Sequence, residues 1–146
     1  MPFRERKPEE ILTIANRILG TGQTSLAKYL FIAAQGDSEH LSTHDIPHFF
    51  QHLLERVDWR RDLHFQTRTT IDTLDYSGSG WNAGSKVVIA CCGKPLRKLT
   101  TKLPENFRLP ESFTQPLFFQ AGILILQGKK YTDENAATKE LSLIHI

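Results

Sequence analysis

The sequence has few cysteines, and their placement excludes one class of protein. Its 146 residues contain only Cys91 and Cys92, which are adjacent. Neighbouring cysteines cannot form the spaced disulfide framework of a small secreted protein. A reducing, cytoplasmic setting is therefore predicted.

Long apolar runs and strong net charge are also missing. No run approaches the roughly 20 apolar residues of a membrane span, and the charged N-terminal segment does not resemble a signal peptide. The formal net charge is only +2, whereas nucleic-acid binding normally requires a concentrated basic face. We therefore predict no membrane span and no nucleic-acid partner.

What is present is the composition of a globular domain with helix and strand patterns. Apolar residues recur at helical spacing over 8–19, and Gly20 and Gly22 are expected to end this helix, since glycine readily supplies a left-handed cap. The apolar run 29–34 is short and continuous, which is typical of a strand buried on both faces.

The middle of the chain repeats this alternation. An amphipathic helix is predicted over 46–57, capped by Thr43 or Asp45. The alternating segment 63–67 predicts a half-buried strand whose apolar side includes Phe65. The remaining segments are predicted as a buried strand at 86–90, a surface loop at 97–115, a strand-like stretch at 117–126 and a helix at 133–140. Alternating strands and helices indicate an α/β fold.

Three histidines form the first candidate site. His44, His48 and His52 lie four residues apart, so neighbouring pairs on a helix could hold a zinc or nickel ion. No nearby cysteine or carboxylate completes a tetrahedral set. The favoured interpretation is a solvated polar stripe opposite the apolar face.

The two cysteines are the next candidates. A nucleophilic thiol needs a helix N-terminus or a cationic neighbour to lower its pKa. Cys91 and Cys92 instead end an apolar strand, where alternation buries one and exposes the other. Core packing is therefore favoured over catalysis.

A glycine-rich stretch has some features of a phosphate-binding loop. A P-loop places lysine directly after the last glycine, whereas here the order is Gly84-Ser85-Lys86 and a strand follows. Together with Gly78 and Gly80, it is interpreted as a tight structural connection.

A basic, partly aromatic cluster follows the second predicted helix and consists of Arg56, Trp59, Arg60, Arg61 and Arg68. It could contact RNA or a phosphate, but Asp58 and Asp62 are interleaved and neutralise much of its charge. An ion-pair network at a helix end, or a contact between subunits, is favoured.

The run 28–33 is followed by the helix predicted to 57, then by Asp58-Trp59-Arg60-Arg61-Asp62 and by the segment 70–76. This order of segments resembles the C-terminal domain of UbiD-type, prenylated-FMN-dependent decarboxylases. That family carries an Asp-Pro-x-Arg-Asp turn after its helix, and here Asp58, Arg61 and Asp62 match while Trp59 replaces the proline. The segment 70–76 resembles Thr-Pro-Ile-Asp-Tyr-Leu-Asp-Phe without its proline.

Gly84-Ser85-Lys86 also matches a Gly-Ser-Lys that precedes a strand in that family. The resemblance covers about 12–93 and is much weaker over 94–140. It implies a three-layer α/β/α domain with a mixed sheet, which agrees with the pattern of helices and strands.

The resemblance also implies an activity and its cofactors. The family carries out reversible, non-oxidative decarboxylation of aromatic or α,β-unsaturated acids, in some members for quinone biosynthesis. Its cofactors are prenylated FMN, a divalent metal that is usually manganese, and potassium. The family's catalytic residues and metal ligands lie in a preceding domain, so no catalytic or metal-binding residue is predicted in this chain.

One residue of this chain is implied to touch the cofactor. A lysine just before the first strand of the family's C-terminal domain contacts the cofactor phosphate, and Lys28 stands at the matching place. A flexible ammonium suits such a point contact. The alternative is a solvent-facing lysine at a strand edge.

The limits of the domain are predicted as 1–140, an incomplete UbiD-like C-terminal domain. The final residues, 141–146, resemble one reading frame of a transposon-end adapter used in sequencing libraries. A natural apolar C-terminus is the alternative.

Three functions follow from the sequence. The leading one is a fragment of a decarboxylase that is inactive alone and takes part in homo-oligomer formation. The second is a stand-alone oligomerisation or interaction module without catalysis. The third is a small metal-binding protein that uses the three histidines.

Overall fold

A computed structural model describes residues 7–141 of the chain. The elements are α1 (Pro8–Leu19), β1 (Tyr29–Ala33), α2 (Ile46–Arg56), β2 (Leu63–Thr70), β3 (Ala83–Cys91), β4 (Thr114–Gln120), β5 (Ile123–Gln127) and α3 (Glu134–Leu141). Two short 3-10 turns, Gly22–Leu26 and Gln35–Asp37, lie on either side of β1. The chain divides after Lys98 into two compact units.

The first unit contains a three-stranded mixed sheet with the order β1-β3-β2. β3 pairs in parallel with β1, so that Tyr29 lies opposite Val87, and antiparallel with β2, so that Leu63 lies opposite Ile89. The central strand is thus the last of the three in sequence. This confirms the predicted mixed sheet.

One helix covers each face of this sheet. Ile11 and Ala15 of α1 form a core with Val88 and Ala90 on one face of β3. The other face meets α2, where Leu53 and the following Val57, just past the end of the helix, pack with Cys91. This core also includes Phe31, Leu63 and Ile89. Fully burying one such aliphatic side chain contributes about 2 kcal/mol. The predicted three-layer α/β/α arrangement is confirmed.

The ends of the two helices follow the sequence only in part. Asp45 caps α2, because its Oδ1 accepts a hydrogen bond of 3.1 Å from the His48 backbone N–H. Gly20 ends α1 with backbone hydrogen bonds to Asn16 and Arg17, but its φ is −93°. The prediction of a left-handed glycine after α1 is therefore wrong for Gly20, whereas Gly22, two residues later, has a φ of 48°.

The predicted burial of two strands is also wrong at one end of the sheet. β1 is an edge strand, and its Tyr29 is 61% exposed instead of buried on both faces. Phe65 on the other edge strand is 65% exposed. Alternation fixed the face to which these side chains point, but α2 covers only part of that face.

The second unit consists of a hairpin and a helix. β4 and β5 pair antiparallel, and Gly122 between them adopts a φ of 78° that favours glycine. The predicted strand-like stretch 117–126 is thus two strands and a turn, and the predicted helix 133–140 is α3. The limits 1–140 for the family domain stay a prediction.

The predicted adapter-derived tail lies almost wholly outside the described residues, since only Leu141 is included, at the end of α3. That assignment stays a prediction. No helix within residues 7–141 has the length and apolarity needed to cross a membrane.

Candidate functional site

Lys28 lies immediately before β1, at the end of the sheet that α2 leaves uncovered. Its backbone carbonyl accepts a hydrogen bond of 3.0 Å from the Val87 N–H, which fixes the backbone against the central strand. Its ammonium lies 3.0 Å from Oδ2 of Asp75 and donates a hydrogen bond to Oγ of Ser77. The side chain is a quarter exposed, so the ammonium is held in place but remains open to solvent.

Asp75 and Ser77 form a local turn that presents both partners to Lys28. The Ser77 backbone N–H donates to Oδ1 of Asp75 at 2.9 Å, and the Ser77 hydroxyl donates to the same oxygen. These two hydrogen bonds, followed by the one from Lys28, lower the pKa of Asp75 to about 2. The Lys28–Asp75–Ser77 cluster therefore carries an ionised carboxylate at neutral pH.

The loop that carries this turn, residues 71–82, is anchored by a close approach of backbone to a buried side chain. Ile71 is fully buried. A Cβ on Gly78 would lie 2.2 Å from the Ala83 carbonyl oxygen and 2.7 Å from Cδ1 of Ile71, and a Cβ on Gly84 would also lie 2.7 Å from that Cδ1. The glycines thus serve close packing, as the sequence interpretation proposed, although Gly84 lies inside β3.

A shallow cleft of about 230 Å³ lies beside the cluster and is lined in part by Asp75, Tyr76, Trp81 and Asn82. Tyr76 and Trp81 are 87% and 81% exposed. Large exposed aromatic side chains on a loop are typical of a surface that another protein segment or a ligand covers.

The uncovered end of the sheet continues this apolar character. Tyr29, Val87 and Phe65 lie side by side across the three strands. Their side chains share the face of Phe31 and Ile89, which α2 covers farther along, because alternate residues of a strand point the same way. We call Tyr29, Phe65 and Val87 the open sheet end.

Lys86 does not take part in a phosphate-binding loop. Only 6% of it is exposed, and its ammonium donates to the backbone carbonyl of Ser25. It lies on the α1 face of the sheet, as Val88 and Ala90 do. The structure therefore agrees with the structural interpretation of Gly84-Ser85-Lys86.

The three histidines do not form the predicted solvated stripe. His44 precedes α2, whereas His52 is buried with 3% exposure. Nε2 of His52 lies 4.0 Å from Oδ2 of Asp37 and has no hydrogen-bond partner within the described part of the chain. Burial, and then the charge of Arg56, lower the pKa of His52. The prediction is wrong for His52 because the Gln35–Asp37 turn covers that side of α2.

The two cysteines are packed rather than reactive. Cys91 is fully buried and Cys92 partly buried. Burial raises the pKa of Cys91 to about 12 and that of Cys92 to about 11, which disfavours both thiolates. Core packing is confirmed for Cys91.

Arg56, Arg60 and Arg61 of the basic cluster after α2 each form an ion pair, as predicted for that cluster. Arg61 pairs with Asp62 and Arg60 with Asp58. Arg56 is buried, and it donates from Nε to the Gly93 carbonyl and from Nη1 to the His52 carbonyl, both at 2.9 Å. These contacts connect the end of α2 to the segment after β3.

Among the side chains that the structure describes, no three of His, Cys, Asp or Glu lie close enough together to hold a metal ion. Sequence reasoning also gave no role to Asp75 or Ser77. Their Asp-x-Ser spacing indicates a local turn, but only the fold brings that turn to Lys28.

Comparison with known proteins agrees with the resemblance. The family described as the 3-octaprenyl-4-hydroxybenzoate carboxy-lyase C-terminal domain matches residues 2–91, which end where β3 ends. An uncharacterized protein of Chlamydia trachomatis serovar D is 39% identical over 126 residues, which are 85% of this chain and 20% of that protein.

A Chlamydia pneumoniae protein, which its name describes as one of the subunits of a 4-hydroxybenzoate decarboxylase, is 40% identical over 96 residues. These residues are 66% of this chain and 16% of that protein. The chain therefore spans about a fifth of the length of these relatives. From the family match and the three-layer unit, we conclude that this chain belongs to the family of UbiD-type decarboxylase C-terminal domains.

Proposed function

We propose that the chain is the C-terminal portion of an enzyme that decarboxylates an aromatic or α,β-unsaturated carboxylic acid, reversibly and without oxidation. The observation that carries this proposal is the family match over residues 2–91. The name of the Chlamydia pneumoniae relative supports a hydroxybenzoate-type substrate, and the family resemblance supports a role in quinone biosynthesis. We place the enzyme in the cytoplasm, because its two cysteines are free and adjacent.

In this proposal Lys28 binds the phosphate of prenylated FMN. An ammonium has three N–H donors, and the contacts with Asp75 and Ser77 use two of them. The third donor and the quarter exposure of the side chain fit one contact with a phosphate oxygen. When bound, the prenylated flavin supplies the electron sink for loss of carbon dioxide.

The described residues do not fit the manganese ion that the family uses, since they contain no cluster of metal ligands. We propose that the metal, the substrate and most of the cofactor are bound by the remainder of a longer protein. The 146-residue chain alone is then inactive.

We further propose that the domain closes over the cofactor side and takes part in a homo-oligomer. The open sheet end supports this role, because Tyr29 and Phe65 each leave more than half of their surface uncovered. Light scattering of the purified chain tests it. Self-association that Phe65→Lys abolishes is the expected result, and a monomer at all concentrations would contradict it.

The activity is tested with a chimera in which this chain replaces the matched region of the Chlamydia pneumoniae relative. Decarboxylation of 4-hydroxybenzoate by the chimera, loaded with prenylated FMN and manganese, is the expected result. A folded, oligomeric chimera without activity would instead favour the stand-alone interaction module.

The role of Lys28 is tested by comparing FMN with riboflavin, which lacks the phosphate. We expect the 146-residue chain to bind FMN more tightly, as measured by flavin fluorescence. Lys28→Ala should remove this difference, and Lys28→Arg should retain part of it. An unchanged difference in Lys28→Ala would exclude Lys28 from the phosphate site.

A further inference from the structure

We propose that Asp75 is a positioning residue, which holds the Lys28 ammonium in place for an incoming phosphate. This inference rests on the function proposed for Lys28. Asp75 has a contact with each of the other two members of the Lys28–Asp75–Ser77 cluster, and Ser77 also accepts from Lys28. The ammonium is therefore fixed from two sides, and its third donor has no partner among the described residues.

The fold explains why such a residue is needed. Lys28 precedes β1, and its side chain has four rotatable bonds that a lone phosphate contact would have to immobilise. Asp75 belongs to a loop whose backbone is anchored through Gly78 and the buried Ile71. A carboxylate on an anchored loop can hold the ammonium before the ligand arrives, which lowers the entropic cost of binding.

Two effects of Asp75 on phosphate affinity oppose each other. Immobilising a lysine side chain in advance improves affinity by about threefold to tenfold. Repulsion between the carboxylate and a phosphate about 6 Å away weakens affinity by about threefold for each phosphate charge in water. Salt screens this repulsion at a partly exposed site, whereas it does not change side-chain entropy. In about 0.3 M potassium chloride the Debye length is shorter than at physiological salt, so the gain from holding the Lys28 side chain in place should exceed the repulsion between Asp75 and the phosphate.

The test is a double-mutant cycle on the affinity of the 146-residue chain for inorganic phosphate. Binding is followed by the backbone amide signals of Tyr29 and Ser77 in NMR titrations. The variants are Lys28→Ala, Asp75→Ala and both together. In about 0.3 M potassium chloride we expect Asp75→Ala to weaken phosphate binding, by less than the roughly threefold to tenfold of preorganisation alone because some repulsion remains. In the Lys28→Ala background, where only the repulsion is left to remove, Asp75→Ala should not weaken binding.

Asp72→Ala is the matched control. Asp72 lies in the same loop and its Oδ1 accepts from the Leu74 N–H at 2.8 Å, which is the same kind of turn. If Asp75→Ala acts through the lost carboxylate and not through a disturbed loop, Asp72→Ala should leave the phosphate affinity unchanged. Ser77→Ala keeps the Asp75–Lys28 pair, so this variant should bind phosphate more tightly than Asp75→Ala does. It is the variant to use in place of Asp75→Ala if the latter disturbs the loop.

The outcomes separate this inference from the function on which it depends. Equal or tighter phosphate binding by Asp75→Ala would overturn the positioning role, because the carboxylate would then act only as a competing anion. An equal loss in Asp72→Ala would also overturn it. No effect of Lys28→Ala, or no phosphate binding by the unmodified chain, would overturn the proposed phosphate role of Lys28 itself.

Discussion

The Arg61 guanidinium binds the Asp62 carboxylate with two hydrogen bonds, from Nε to Oδ1 at 2.6 Å and from Nη2 to Oδ2 at 3.0 Å. Asp62 is fully buried, whereas more than half of the Arg61 side chain is exposed. The carboxylate also accepts from the Asp58 N–H, and the Asp62 carbonyl accepts from the Ala90 N–H. This pair thus joins the turn after α2 to the central strand.

Replacing Asp62 by alanine is expected to lower the free energy of unfolding by about 2 kcal/mol, because it removes the charged acceptor of the part-buried Asp58 N–H and of the Arg61 guanidinium. Urea denaturation followed by circular dichroism measures the change. Asp58→Ala is the control in the same turn, and it should cost clearly less because the Asp58 side chain is more exposed. Equal losses would show that the buried carboxylate has no special role.

His52 makes stability depend on pH. Burial lowers its pKa in the folded chain below the ordinary 6.5, so the unfolded chain takes up a proton at a higher pH than the folded chain does. The contribution of neutral His52 to the free energy of unfolding is therefore complete above pH 6.5, and it is lost as the pH falls from there toward the folded-state pKa.

Between pH 7.5 and 5.5, the free energy of unfolding of the wild type should therefore fall by up to about 1 kcal/mol more than that of His52→Gln, as measured by urea denaturation. His40, which is exposed, provides the control variant His40→Gln. A pH dependence identical in the wild type and in His52→Gln would contradict the assignment.

The two thiols should resist alkylation in the folded chain. The pKa values of about 12 for Cys91 and about 11 for Cys92 leave almost no thiolate at pH 8. Iodoacetamide labelling followed by mass spectrometry should modify Cys92 first and both residues rapidly in urea. Rapid native labelling of Cys91 would mean that its strand end opens. Because both pKa values are raised, the folded chain keeps its thiol protons at a pH where the unfolded chain loses them. The free energy of unfolding should therefore fall as the pH rises above 9.

Gly78 and Gly80 form a matched pair for testing the loop anchor. Gly78→Ala places a Cβ 2.2 Å from the Ala83 carbonyl oxygen, so the backbone must move. We expect a loss of about 2 kcal/mol. Gly80→Ala meets nothing within 4 Å and should change the free energy of unfolding by less than about 0.5 kcal/mol.

Gly84→Ala should be intermediate, because its Cβ meets only the Ile71 side chain. Adding Ile71→Val removes the Cδ1 atom at 2.7 Å and should restore part of the loss. Thermal unfolding of the variants decides this ranking. A Gly84→Ala variant as stable as the wild type would show that Ile71 can repack at no cost.

Local patterns predicted the elements of this fold well, because the periodicity of a helix or strand depends only on residues that are close together in the sequence. The Asp45 cap and both faces of β3 are examples. Periodicity does not state what covers a face, so the exposure of Tyr29 and Phe65 was missed. The burial of His52 likewise depends on Asp37, which a separate turn supplies.

The candidate site was predictable only through the family resemblance. Nothing near Lys28 in sequence indicates an anion, and its observed partners, Asp75 and Ser77, are distant in the chain. Contacts of that kind depend on strand order, which places β3 between β1 and β2.

That strand order also has a consequence for synthesis on the ribosome. β1 and β2 pair with β3 and not with each other, so neither edge strand has a sheet partner until Cys91 has been added. The parallel pair that joins Tyr29 to Val87 closes a long loop, which slows folding. The nascent first unit should thus stay without its sheet, and accessible to chaperones, until the last of its strands emerges.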